Sequence, residues 1–141
     1  MTDLEQAIQA LGGHTLALCK DGGIITSDKR GVAPMVGFIR EGRDLRGYSA
    51  ADKVVGKAAA TLFIKAGITA LHAVTLSKSA ETLLKSHGVE TSCDNLTEYI
   101  INRDKTGLCP MEQTVLGTDD IEEGTKLIIQ KLDEMMSKKS N

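Results

Sequence analysis

Apolar positions along the chain switch between a period near 3.6 and a period of two, and the switches mark out the elements. Leu4, Ala7, Ile8 and Leu11 recur on one helical face behind Thr2 and Glu5, whose spacing is that of a capping box. Gly12-Gly13 then supplies a stop. Residues 15–19 alternate, Asp21-Gly22-Gly23 is a tight-turn signal, and Ile24, Ile25 and Thr26 resume extended structure, which predicts a β-hairpin. The Asp21-Gly22-Gly23 triplet lacks phosphate-loop spacing and precedes no helix, so it reads as a turn.

Pro34 suits the first turn of a short helix over 35–41, which Gly42 closes. Residues 49–66 then predict one long helix, with Ser49 and Asp52 as reciprocal cap partners and Gly67 as its end. Val54, Val55, Ala58, Ala59, Ala60, Leu62, Phe63 and Ile64 make that helix apolar around most of its circumference, as expected of one packed on several sides. A strand over 70–76, a helix over 79–87 and a strand over 89–93 follow, a spacing that implies a parallel pair with a right-handed crossover. A short helix is expected over 95–102. A last helix is expected from Asp119, with Glu122 completing its capping box, through Ile121, Leu127, Ile128, Leu132 and Met135. Residues 137–141 are expected to fray. The order predicts a single α/β domain over 1–141, a three-layer α/β/α arrangement in which an N-terminal hairpin is followed by parallel strands with crossover helices.

Composition narrows the partners. The 141 residues include two Phe, two Tyr and no Trp, so the core rests on aliphatic side chains and few rings are available for bases to stack on. Net charge is −2 with no basic stripe, which speaks against nucleic acid. No apolar run approaches the length of a membrane span, and the three cysteines, Cys19, Cys93 and Cys109, are odd in number and far apart. Reduced thiols in a cytoplasmic protein are expected.

The runs Ala51-Asp52-Lys53-Val54-Val55-Gly56-Lys57-Ala58-Ala59-Ala60, Tyr99-Ile100-Ile101-Asn102-Arg103 and Thr106-Gly107-Leu108-Cys109-Pro110-Met111-Glu112 resemble a bacterial family of unknown function, domain-of-unknown-function family 1893, grouped with the cytidine deaminase-like fold. The resemblance extends from about Thr15 to the last helix. It implies a deaminase-like mixed sheet. In deaminases a buried helix opens with His-x-Glu and the next with Pro-Cys-x-x-Cys; the His and two Cys hold a zinc ion that activates water, and the Glu shuttles protons. The corresponding positions here, near Ala50-Ala51-Asp52 and Leu76-Ser77-Lys78-Ser79-Ala80, contain neither His nor Cys. His72, His87, Cys93 and Cys109 form no close ligand pair either. No metal, no other cofactor and no zinc-dependent deamination are therefore expected.

Two groups of residues could still carry a function. Lys53 and Lys57 would lie one turn apart at a helix N-terminus, with Asp52 as a cap and Gly56 allowing close approach, an arrangement that suits a phosphate. Asn102 and Arg103 offer polar contacts to phosphate or ribose. Cys109 just before a helix start, with Glu112 in its first turn, suggests a nucleophile with an acid or base beside it; a buried thiol and a first-turn carboxylate explain the same residues without any function. Three functions are compatible with this set. The first is a module binding a nucleotide-like or ADP-ribose-like ligand through Asp52, Lys53, Lys57, Asn102, Arg103 and Cys109. The second is a metal-free enzyme using Cys109, and the third is an interaction module that docks a partner subunit or forms a homodimer.

Overall fold

The computed structural model describes residues 1–101 and 107–140. The chain runs α1 (Asp3–Leu11), β1 (Leu16–Lys20), β2 (Gly23–Ser27), α2 (Ala33–Arg40), β3 (Ser49–Val55), α3 (Lys57–Ala66), β4 (Ala70–Ser77), α4 (Lys78–Ser86), β5 (Glu90–Thr97), α5 (Pro110–Thr114) and α6 (Ile121–Ser140). The strands form one mixed sheet in the order β2-β1-β3-β4-β5. β1 is antiparallel to both β2 and β3, whereas β3, β4 and β5 are parallel. This is the expected three-layer α/β arrangement.

Local chemistry accounts for the hairpin and the first helix. Lys20 pairs with Gly23 across a two-residue loop, and Asp21 and Gly22 both have positive φ, 51° and 82°. That is the turn whose twist matches the flanking strands, and Asp-Gly is among the pairs that adopt it at least cost. At α1, Thr2 Oγ1 accepts from Glu5 N and Glu5 Oε1 accepts from Thr2 N, both at 3.1 Å, so the capping box is closed.

The two faces of the sheet are covered unequally. α1 alone packs on one face, where Ala7, Leu11, Ala17, Cys19 and Ala51 make a small cluster of short side chains that lets the helix lie close. The other face carries the main core, where Leu16, Leu18, Ala50, Leu71 and Ala73 meet Met35 and Val36 of α2, Leu62 and Phe63 of α3, Leu83 and Leu84 of α4, Met111 of α5 and Ile128 of α6.

Three expectations are corrected. Residues 49–55 are not the first turns of the central helix but strand β3, the middle of the sheet. Ala50 and Ala51 are both fully buried on opposite faces, and this two-sided burial overrides the helix propensity of an Ala-rich run. Residues 95–97 belong to β5 rather than to a helix. β5 is an edge strand with one open face, so its polar side chains reflect exposure rather than helix or loop. The cap of α6 is one residue later than predicted: Asp120 Oδ1 accepts from Glu123 N at 2.8 Å, and Glu122 instead meets Lys65 Nζ at 2.6 Å. α6 runs from Ile121 to Ser140.

Because Ile128 is fully buried against the main core, Ile128→Ala should lower the unfolding free energy by about 2–5 kcal/mol, read from urea melts. A loss below about 1 kcal/mol would mean that α6 is peripheral.

A candidate site where the parallel strands end

α3 begins with a physical problem. Its N-cap is Gly56, which has no side chain to accept from the exposed first-turn amides. Its residues Ala58, Ala60, Thr61, Leu62 and Phe63 are buried, so water has little access to those amides. The acceptor comes from far along the chain. Glu112 Oε1 accepts from Lys57 N at 2.7 Å and Oε2 accepts from Ala58 N at 2.8 Å. Glu112 is only 7% exposed.

Gly56 is required here for space. Its φ of −102° and ψ of −174° are open to any residue, but a Cβ would stand 2.2 Å from Glu112 Oε1 and 2.4 Å from its Cδ. Glu112 is aimed by α5, a single turn that starts with Pro110 and is anchored by buried Met111 and Val115. Gln113 ties the turn to its approach, donating from Nε2 to the Leu108 carbonyl at 2.9 Å.

The lysines are likewise engaged within the fold. Lys57 Nζ lies 2.8 Å from Asp119 Oδ1, with the lysine side chain 13% exposed and the aspartate 84%. The hydrogen bond from Lys57 holds the Asp119 carboxyl below its usual range, with the ammonium charge as the second cause. Lys53 is on β3, not α3. It donates from Nζ to the Gly12 carbonyl at 2.7 Å, placing a cation at the C-terminal end of α1. Lys53 and Lys57 therefore do not share a helix face, and the anion at the start of α3 is the protein's own carboxylate.

Asp52 is different. It pairs in register with Leu16 of β1 and Ala73 of β4. Both belong to the main core, so the half-buried Asp52 side chain is on that face too. Its carboxyl receives Val54 N at a long 3.4 Å. Desolvation pushes its pKa up to about 7, only partly opposed by the backbone amides of Val54 and Lys53. It is the fourth of the seven residues of β3, in register with the middle of β4 and four residues before the α3 cap.

The cysteine candidate loses its two supports. Cys109 is the N-cap of α5, but that helix has five residues and a correspondingly small dipole. The side chain packs against the main core. Glu112, its expected acid or base, is committed to the α3 amides. Asn102 and Arg103 lie outside the described residues. α3 opens as Gly56-Lys57-Ala58-Ala59. α4 opens with Ser77 as N-cap, its Oγ accepting from Ala80 N at 3.2 Å. Among the described residues no three His, Cys, Asp or Glu side chains converge in a way that could hold a metal ion. No helix there is long and apolar enough to cross a membrane.

The contact between Gly56 and Glu112 can be tested with a double-mutant cycle. Glu112→Ala should cost about 2–4 kcal/mol by leaving two buried amides without an acceptor. Gly56→Ala should cost a comparable amount alone and little once Glu112 is alanine. Equilibrium melts of the four proteins should show a coupling close to the Gly56→Ala loss itself, about 2–3 kcal/mol; purely additive losses would separate the two residues.

Comparison with known proteins places this architecture. No curated protein matches the chain. The crystal structure of a DUF1893 family protein from Thermotoga maritima superposes with a TM-score of 0.83 at 29% identity, covering 93% of this chain and 91% of that one. A diaminohydroxyphosphoribosylaminopyrimidine deaminase/5-amino-6-(5-phosphoribosylamino)uracil reductase from the same organism aligns with a TM-score of 0.41 at 18% identity; the alignment covers 63% of this chain and 34% of that enzyme. The profile of a domain of unknown function, DUF1893, matches residues 6–132. With that match over most of its length, the chain belongs to the DUF1893 family.

Proposed function

We propose that the protein is a small-molecule-binding module that takes a nucleotide-like ligand beside Asp52 of β3, recognises it through its nucleoside part, and does not carry out zinc-dependent deamination. The observation that carries this reading is Asp52. It is a half-buried carboxyl, displaced toward neutral pH by desolvation, whose hydrogen bonds among the described residues are confined to neighbouring backbone amides. A buried polar group with unused lone pairs is costly unless a partner supplies donors. Ribose hydroxyls and the amino or amide edge of a base are donors of that kind, and acidic side chains serve this purpose in other α/β proteins.

Recognition by way of phosphate has less support. The amides that would cradle it are taken by Glu112, and the nearest lysines by Asp119 and Gly12. The absence of His and Cys from the openings of α3 and α4 supports the second half of the proposal.

Two measurements test it. Thermal melts with cytidine, adenosine, ADP-ribose and inorganic phosphate should show a rise with at least one nucleoside-containing compound and none with phosphate. A ligand at about 100 times its Kd adds about 2.7 kcal/mol, worth several degrees. The rise should disappear in Asp52→Asn, and a rise with phosphate alone would sink the reading.

The second measurement needs no ligand. A carboxyl whose folded pKa is raised from 3.8 to about 7 holds its proton more tightly in the native state. Its contribution to stability is fully present below pH ~4 and is lost as pH climbs to ~7. Asp52→Asn should therefore gain on the wild type across that window, by at most about 1.4 kcal/mol per pH unit, and no further above it. A difference that does not change with pH would show that Asp52 titrates normally.

A further inference from the structure

The face of the sheet that α1 only partly covers carries a second set of functional groups, on the opposite side from Asp52. His72 of β4 is in register with Ala51, which packs under α1, so its side chain points to that face. Ser92 of β5 is directly opposite His72, and Asp94 is two residues further along β5, on the same side. His72 Nδ1 lies 2.8 Å from Ser92 Oγ and His72 Nε2 lies 3.3 Å from Asp94 Oδ1. The imidazole side chain is 14% exposed and that of Asp94 59%; Ser92 is exposed.

An ionised carboxylate can only accept, so a neutral imidazole that suits both neighbours carries its proton on Nε2. The Nδ1 lone pair then accepts from the Ser92 hydroxyl, and Nε2–H faces the Asp94 carboxylate in a contact at ion-pair distance rather than a hydrogen bond. Hydroxyl, imidazole and carboxylate thus stand in sequence along the strand surface, with the two ring nitrogens interchanged relative to the familiar hydrolytic triad; either nitrogen can serve as base.

β5 is also an edge strand. Glu90 N donates to the Thr69 carbonyl on the β4 side, and alternation along a parallel ladder directs the N–H of Cys93 to the free edge. A backbone donor immediately after Ser92 is therefore available to an oxyanion.

We propose that Ser92 is a nucleophile, His72 its general base and Asp94 the residue that orients the imidazole, and that this site hydrolyses small activated acyl esters. Ser92 Oγ bonds to the ester carbonyl carbon as its proton passes to His72 Nδ1. The C–O bond to the leaving group breaks, and the alcohol departs with the proton from Nδ1. Water then attacks the acyl-serine, loses a proton to Nδ1, and the acid leaves as Ser92 Oγ regains that proton. The balance is ester plus water giving acid plus alcohol. The open strand surface suits short, reactive acyl donors rather than long substrates.

The full chain treated with a fluorophosphonate probe should carry one adduct, mapped by peptide mass spectrometry to Ser92. Ser92→Ala should abolish it. His72→Gln should slow labelling at least about tenfold with the thermal midpoint preserved. Asp94→Asn should slow it several-fold and move the pH midpoint of labelling to lower pH, a shift that a merely structural carboxylate would not produce. p-Nitrophenyl acetate should be hydrolysed faster by the wild type than by Ser92→Ala. The proposal is overturned if Ser92 stays unlabelled under conditions that label a known serine hydrolase, or if His72→Gln labels at the wild-type rate.

Discussion

A carboxylate placed on the first amides of a buried helix organises this molecule. α3 is buried through most of its turns, so its orphan N–H groups face protein rather than water, and leaving them unpaired would cost several kcal/mol. Glu112 satisfies two of them at once. The contact joins the end of β3 to a segment more than fifty residues away, and α6 follows on behind, packing Ile128 into the same core. It constrains three places together: Gly56 must lack a Cβ, α5 must hold its single turn, and Met111 and Val115 must stay buried to aim the side chain.

Two carboxyls on the main-core side of the sheet illustrate how environment divides labour between like groups. Glu112 meets two well-placed amide donors and serves the scaffold. Asp52, six residues before α3's second amide donor in sequence, meets only weak backbone donors and is crowded by the core, so its charge is disfavoured near neutral pH. A group in that state is poorly used by the fold alone and well suited to a ligand that brings its own donors. The lysines expected to attract such a ligand instead join distant elements, Lys53 to the end of α1 and Lys57 to the start of α6 through Asp119.

The unequal cover of the sheet has a consequence of its own. One short helix cannot shield five strands, and the β4–β5 portion of its face keeps polar side chains. Placing His72 in register with Ser92 puts a base beside a hydroxyl by strand pairing alone. Nothing in the sequence brings residues twenty apart together until the parallel register is set.

Much of the fold was legible from local chemistry. The capping box at Thr2, the Asp21-Gly22 turn, the glycine stop at Gly67 and Pro110 at the head of α5 each act within a few residues, so their signals survive in the linear chain. The β3 segment misled because Ala-Ala-Asp-Lys favours a helix locally, while its burial on both faces is a property of the assembled sheet. The polar end of β5 misled for the related reason that an edge strand need not look like a central one. Glycine at 56, lysine at 57 and glutamate at 112 were all visible as unusual residues. Their meaning was not, because a hydrogen bond across the fold has no period and no spacing to detect. The sequence by itself determined the hairpin, the helices that carry caps or glycine stops, the parallel pair and the aliphatic core, since these follow from short-range propensity and periodicity, but not β3 or the end of β5. Only the tertiary structure decided which charges are spent on the fold and which remain free for chemistry, since that depends on distances between residues the chain keeps far apart.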